Sequence, residues 1–206
     1  LEEFLSTHTR SAPLDDRVLV FSTTFHPVSG PAEDALVELM RALPNVSFDV
    51  ITTRFAPGTE QTPSPTSNAF VHRVGFGNSF DKYLFPILGY LKAKNLSRAH
   101  TYLFAWAIFA SYAALAALLL KRIVRTPLLI TLADQDLARA GGIKRWLLKR
   151  ALSGADQVYG MHSKDDRMAA RLVRKTTLRQ SIGDGDAFAN QIRFAYANIL
   201  NASLKK

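Results

Sequence analysis

Apolar and polar positions along the chain alternate between short apolar runs and longer stretches with helical spacing. Arg17 to Ser22 is a mostly apolar run with two valines, and it predicts a strand buried on both faces. Thr23 to Gly30 holds Pro27, Ser29 and Gly30 and predicts a loop. Pro31 stands where a helix can start, and Glu33 and Asp34 in its first turn suit the positive end of the helix dipole. Leu36, Val37, Leu39, Met40 and Leu43 continue that helix. Further strands are predicted at 47–52, 70–74, 97–103, 127–132 and 155–161. Further helices are predicted at 79–95, interrupted by Pro86 and Gly89, and at 104–122, 143–152, 162–173 and 187–200. A loop rich in Pro, Ser and Thr separates strands two and three, and 174–186 is polar and irregular.

Six short strands alternating with helices predict an α/β fold: one doubly wound, mainly parallel sheet with helices on both faces. Residues 1–16 form an arm, 17–175 a single domain, and 176–206 a linker with a C-terminal helix that packs back on the domain. In such folds the loop after the first strand lies at the carboxyl edge of the sheet, where ligands bind. Backbone N–H groups at the following helix start favour an anion such as a phosphate. The alternative is a plain βα turn, because one glycine is a weak phosphate signal.

One segment opposes this picture. Residues 102–120 carry no charge and come close to the length of a membrane span, with Lys121 and Arg122 directly after them. The polar break Ser97 to His100 before it, and Pro127 with a second apolar run after it, favour a buried crossover helix. Its many alanines suit close packing against a sheet.

The composition, 48% hydrophobic and 21% charged, is that of an ordinary globular protein. A net charge of +9 points to an anionic partner: nucleic acid, an anionic membrane surface or a phosphorylated substrate. The chain has no cysteine, which excludes disulfides and cysteine-ligated zinc. Leu1 to Pro13 lacks the apolar core of a signal peptide.

The order of motifs resembles the N-terminal domain of GT-B-fold retaining glycosyltransferases of the family 4 type. The resemblance rests on Phe25 to Glu33 after strand one, and on Arg98-Ala99-His100-Thr101 before the Ala-rich helix. It continues with Thr131-Leu132-Ala133-Asp134-Gln135-Asp136 after Pro127, and with Ala155-Asp156 before a strand followed by Ser163. It covers about residues 17–175 and implies a Rossmann-like domain forming the acceptor side of a sugar-transfer cleft. Ala133 stands where the family has a histidine, so that role does not carry over, and Asp134 or Asp136 is the candidate substitute. The family's nucleotide-sugar domain is not recognisable in 174–206, whereas 186–204 is similar to its last helix. The resemblance therefore implies an excised acceptor half, inactive alone, whose nucleotide-sugar donor would bind a missing C-terminal domain.

The candidate catalytic residues are Asp134 and Asp136, where a carboxylate can orient a hydroxyl. Candidate substrate-binding residues are Ser29, Gly30, His100, Thr101 and Ser163. Each has a plainer reading: helix capping for the aspartates and Ser163, a turn for Gly30, a structural role for His100. No cofactor and no metal are expected. Lys82, Lys92 and Lys94 lie among Tyr83, Leu84, Phe85, Ile87, Leu88, Tyr90 and Leu91, and Lys144, Arg145, Lys149 and Arg150 flank Trp146. Basic residues around an aromatic-apolar face suit an anionic membrane surface, with core packing and solvated charge as the alternative. Peripheral attachment on the cytoplasmic side and a sugar or lipid-linked acceptor follow from the membrane reading. A basic module for nucleic acid is the competing class; no nucleic-acid motif is recognised, so nucleic acid is not expected.

Overall fold

A computed structural model of the chain describes residues 16–28, 30–54, 62–108, 112–132, 142–160 and 178–179. Strand β1 (Arg17–Phe21) is buried after its first residue. Helix α1 (Pro31–Ala42) follows, with Gly30 as an extended N-cap and Pro31 in its first turn. Strands β2 (Ser47–Thr53) and β3 (Ala69–Val74) come next, then helix α2 (Asp81–Ala99) and strand β4 (Phe104–Ile108). Helix α3 (Tyr112–Val124), strand β5 (Leu128–Leu132), helix α4 (Gly142–Gly154), and strands β6 (Gln157–Gly160) and β7 (Leu178–Arg179) complete the described elements.

The strands form one seven-stranded sheet in the order β3-β2-β1-β4-β5-β6-β7. All six pairings are parallel. Strand order reverses between β1 and β4, the switch point where doubly wound sheets open a crevice at their carboxyl ends. Alternate side chains of the strands feed two cores. Val18, Val20, Phe48, Val50, Phe104 and Trp106 pack under α1. Leu19, Phe21, Ile51, Ala105, Ala107, Leu128 and Ile130 pack under α2, α3 and α4. The expected α/β sheet with helices on both faces is therefore present.

Three features differ from the sequence expectation: the course of α2, the bounds of the fourth strand and the presence of β7. Helix α2 runs unbroken through Pro86 and Gly89 to Ala99, because packing on α3 overrides local propensity. A Cβ at Gly89 would stand 3.3 Å from the Phe85 ring and 3.4 Å from the Ala116 Cβ, so α2 packs on α3 in near-ordinary contact at this position. The fourth strand is not 97–103. Ser97 to Ala99 finish α2, and the His100 N–H closes it by donating to Leu96 O at 2.9 Å. The stretch 102–120 is divided between β4, fully buried in the sheet, and α3. No helix among the described residues is long and apolar enough to cross a membrane. Finally, a seventh strand exists. Two-residue β7 pairs with β6 inside the stretch expected to be linker.

The amino edge of the sheet is tied by one buried carboxylate. Asp49 of β2 accepts from Arg17 Nη1 at 3.1 Å and from the Tyr102 hydroxyl at 2.9 Å. His72 Nε2 of β3 lies 2.7 Å from its other oxygen. Burial works to raise the Asp49 pKa, but the bonds from His72, Tyr102 and Arg17 and the His72 charge hold it below its ordinary value. Burial first, then the Asp49 charge, pushes the Tyr102 phenol strongly upward. At the same edge Asp156 accepts from the Leu128 N–H at 2.7 Å and from Lys121 Nζ at 2.6 Å, which joins β5, β6 and α3.

Candidate functional site

The β1–α1 loop, Arg54 at the end of β2 and the β3–α2 turn meet at the carboxyl edge. The β1–α1 loop is shaped by Glu33, buried in the first turn of α1. Its carboxylate accepts the Thr24 hydroxyl through one oxygen and the Gly30 N–H, at 3.1 Å, through the other. A Cβ on Gly30 would come within 3.1 Å of that second oxygen, so the missing side chain is what admits the carboxylate. The consequence corrects a simple phosphate-cradle picture. The Gly30 N–H is already bonded to an internal anion, and Glu33 supplies the negative charge that the helix dipole favours.

Two further bonds pin this loop to the sheet. The Thr53 hydroxyl donates to Thr23 O at 2.6 Å, and Arg73 Nη2 donates to His26 O at 2.6 Å. Burial lowers the pKa of the Arg73 guanidinium, whose charge lies in the wall of the mouth. Arg54 follows β2 directly, and its N–H donates to Val74 O at 2.9 Å, which places a second arginine at the same edge. The β3–α2 turn closes the third side. Gly75 has φ +113, which glycine tolerates. Asp81 then accepts the N–H groups of Phe76 at 2.9 Å, Gly77 at 2.7 Å and Asn78 at 3.3 Å. Under the β1–α1 loop the hydroxyls of Ser22 and Thr52, both fully buried, have no hydrogen-bond partner among the described residues.

Of the sequence-predicted residues, Gly30 is at this mouth. Thr101 and His100 are not. They follow α2 and precede β4, at the amino edge, because the helix runs on where a strand was expected. Ser29, Asp134, Asp136 and Ser163 lie outside the described residues. Leu132, which precedes Ala133 and Asp134, ends β5 at the carboxyl edge. Lys82 is exposed on α2, with Lys92 and Lys94 half-buried on the same helix. Arg145, Trp146, Lys149 and Arg150 are exposed on α4, which also carries Lys144. Among the described residues no group of three or more His, Asp or Glu could hold a metal ion. Sequence reasoning missed Arg54, Arg73, Thr24 and the anchoring role of Glu33. Their only signal was position: each falls at the carboxyl end of a strand or in the first turn of the next helix.

No protein-family model matches the chain, and no curated protein does. Solved structures do. A sucrose-phosphate synthase from Thermosynechococcus elongatus aligns over 89% of this chain and 99% of its own, at 15% identity and a TM-score of 0.66. The fold is shared with GT-B glycosyltransferases. HepE from Anabaena, solved with UDP and glucose, aligns over 81% of this chain at 19% identity and a TM-score of 0.55. A UDP-glucose:anthocyanidin 3-O-glucosyltransferase, solved with UDP, aligns over 82% at 14% identity and a TM-score of 0.50. This chain spans 45% of the HepE chain and 53% of the anthocyanidin enzyme, about half of each. At these identities the likeness is one of fold.

Proposed function

We propose that this chain is the acceptor-binding half of a glycosyltransferase, of the retaining family 4 type, that moves a sugar from a nucleotide-sugar to a lipid-linked or membrane-associated acceptor. The observation that carries the proposal is the loop mouth at the carboxyl ends of β1, β2 and β3, beside the switch point. The β1–α1 loop is fixed there by Glu33 and Arg73 and the β3–α2 turn by Asp81, and Arg54 and Arg73 add positive charge. A transfer of this kind needs an acceptor hydroxyl held in place and positive charge near a departing diphosphate. Thr24, Arg54 and Arg73 suit those tasks, and Gly30 keeps the wall of the mouth low. Asp134 and Asp136, which follow β5 in sequence, are the proposed carboxylates for orienting the hydroxyl, and Ser29 and Ser163 are proposed sugar contacts.

Two of the structural relatives were solved with UDP and are about twice as long, which fits a nucleotide site supplied by a second half. The chain alone is then inactive. The membrane side of the proposal draws on the positive charge of α2 and α4, with Lys82, Lys92, Lys94, Lys144, Arg145, Trp146, Lys149 and Arg150 meeting an anionic surface on the cytoplasmic side. Titration calorimetry of UDP-glucose into the chain tests the half-enzyme idea. Binding weaker than about millimolar is expected, and affinity near a micromolar would contradict it.

A further inference from the structure

Helix α2 is apolar on both sides. Inward, Phe85, Gly89 and Ala93 repeat every fourth residue and are buried. Outward, Phe80 is 68% exposed, Tyr83 54%, Ile87 59% and Leu91 47%, with Leu84 beside them. Steps of three and four residues place these five side chains on one face. They form a stripe about 16 Å long, at 1.5 Å per residue. Phe76, 71% exposed in the preceding turn, extends it. A helix apolar all round is normally covered, and a contiguous exposed apolar patch marks an interaction surface.

Charge identifies what covers it. Lys82 flanks the stripe, and Lys92, Lys94 and Arg98 follow along the helix. The helical layer made by α2, α3 and α4 contains four, two and four Lys or Arg, against one acidic residue, the buried Asp81. Helix α1 on the opposite face is acidic, with Glu33, Asp34 and Glu38 against Arg41. The sign therefore changes across the sheet. Aliphatic groups at the centre of the stripe with basic groups around it match a bilayer, whose acyl boundary lies under anionic headgroups. A nucleic-acid backbone would place charge at the centre instead. The stripe also begins at the mouth. Phe76 follows Gly75, and the Tyr83 ring meets that of Tyr112, the first residue of α3, at 5.4 Å and 71°.

Building on the membrane-side acceptor proposed above, we propose that the outer face of α2 inserts into the headgroup–acyl boundary of an anionic bilayer. Phe76, Phe80, Ile87 and Leu91 enter the apolar layer, and Lys82, Lys94 and Arg98 meet lipid phosphates. The insertion holds the mouth at headgroup level, where the head of a lipid-borne acceptor sits.

Co-sedimentation with vesicles of phosphatidylcholine alone, or with about a third phosphatidylglycerol, tests this. The chain should bind the anionic vesicles, less so in high salt. Ile87→Ser with Leu91→Ser should weaken partitioning at least about tenfold while the circular dichroism spectrum and melting temperature hold. An Ile87→Trp reporter in a Trp146→Phe background, read as the difference from Trp146→Phe alone because the buried Trp106 also emits, should shift to the blue and be quenched by brominated lipid. Unchanged binding by the serine pair would overturn the insertion of α2 while leaving attachment through α4 intact. A chain that binds no vesicle overturns both, whereas the sugar-transfer proposal is judged by the calorimetric titration. Salt-sensitive RNA binding without lipid binding, or a dimer dissolved by Ile87→Ser, would assign the stripe to another partner and overturn the proposal.

Discussion

The two edges of the sheet use polar side chains for different ends. At the amino edge the charged groups join element to element, while Asn68 Nδ2, 2.9 Å from the Met40, Leu43 and Val46 carbonyl oxygens, holds the α1–β2 connection. Asp49 links β1, β2, β3 and Tyr102 just before β4, while Asp156 links β5, β6 and α3. At the carboxyl edge they hold loops. Glu33, Thr53, Arg73 and Asp81 each bond loop backbone, and two buried hydroxyls are left without partners. The first arrangement stabilises a fold; the second fixes the shape of a surface. Among the described residues, buried hydroxyls without partners occur at both edges, Thr66 and Ser97 at the amino edge and Ser22 and Thr52 toward the carboxyl edge, so the edges differ in what their ionised side chains hold.

The largest expected effect lies at the amino edge. Asp49→Ala leaves Arg17 and His72 without their shared anion and should cost about 3–5 kcal/mol in urea unfolding. The same carboxylate sets an acid limit. Its folded pKa is depressed below the ordinary 3.8, so its contribution is present above that value and lost as pH falls through the lower folded value. Unfolding curves between pH 6 and 2 should show that loss in the native chain and not in Asp49→Asn. At the carboxyl edge, Asp81→Ala strands three N–H groups of an exposed turn and should cost about 2 kcal/mol. Glu33→Gln keeps the shape but removes the internal anion. About 1 kcal/mol of destabilisation is expected, with raised affinity for inorganic phosphate at the helix start by nuclear magnetic resonance. The smallest effect is expected at Thr52. Thr52→Val removes a hydroxyl that has no partner and should leave stability within about 0.5 kcal/mol of the parent, or raise it. A loss as large as that of Asp81→Ala would show the hydroxyl to be bonded.

Much of the fold was legible because the strands are short apolar runs buried on both faces. Val18 to Phe21 and Leu128 to Leu132 needed no partner to be recognised. The β1–α1 unit was legible for the same reason, together with Pro31 and the acidic first turn. The aromatic-apolar and basic residues of α2 were legible too, but its unbroken course was not. A helix apolar on both sides gives no periodic signal, and Pro86 and Gly89 suggested breaks that packing on α3 overrides. His100 was misplaced by the same boundary: extending α2 to Ala99 moves it to the opposite edge. Arg54 and Arg73 were invisible as site residues because the sheet register, not spacing, brings them beside the first loop. The two residues of β7 are too few to carry a pattern.

The central claim is that the carboxyl edge receives the acceptor. The most direct measurement is a map of backbone amide shifts on adding octyl glucoside below its micelle concentration, a sugar carrying an alkyl chain. Shifts gathered at Thr23 to Glu33, Arg54 and Gly75 to Asp81, and running along the outer face of α2, are the expected result. Shifts gathered around Arg17, His72 and Tyr102, or none at the three loops, would contradict it.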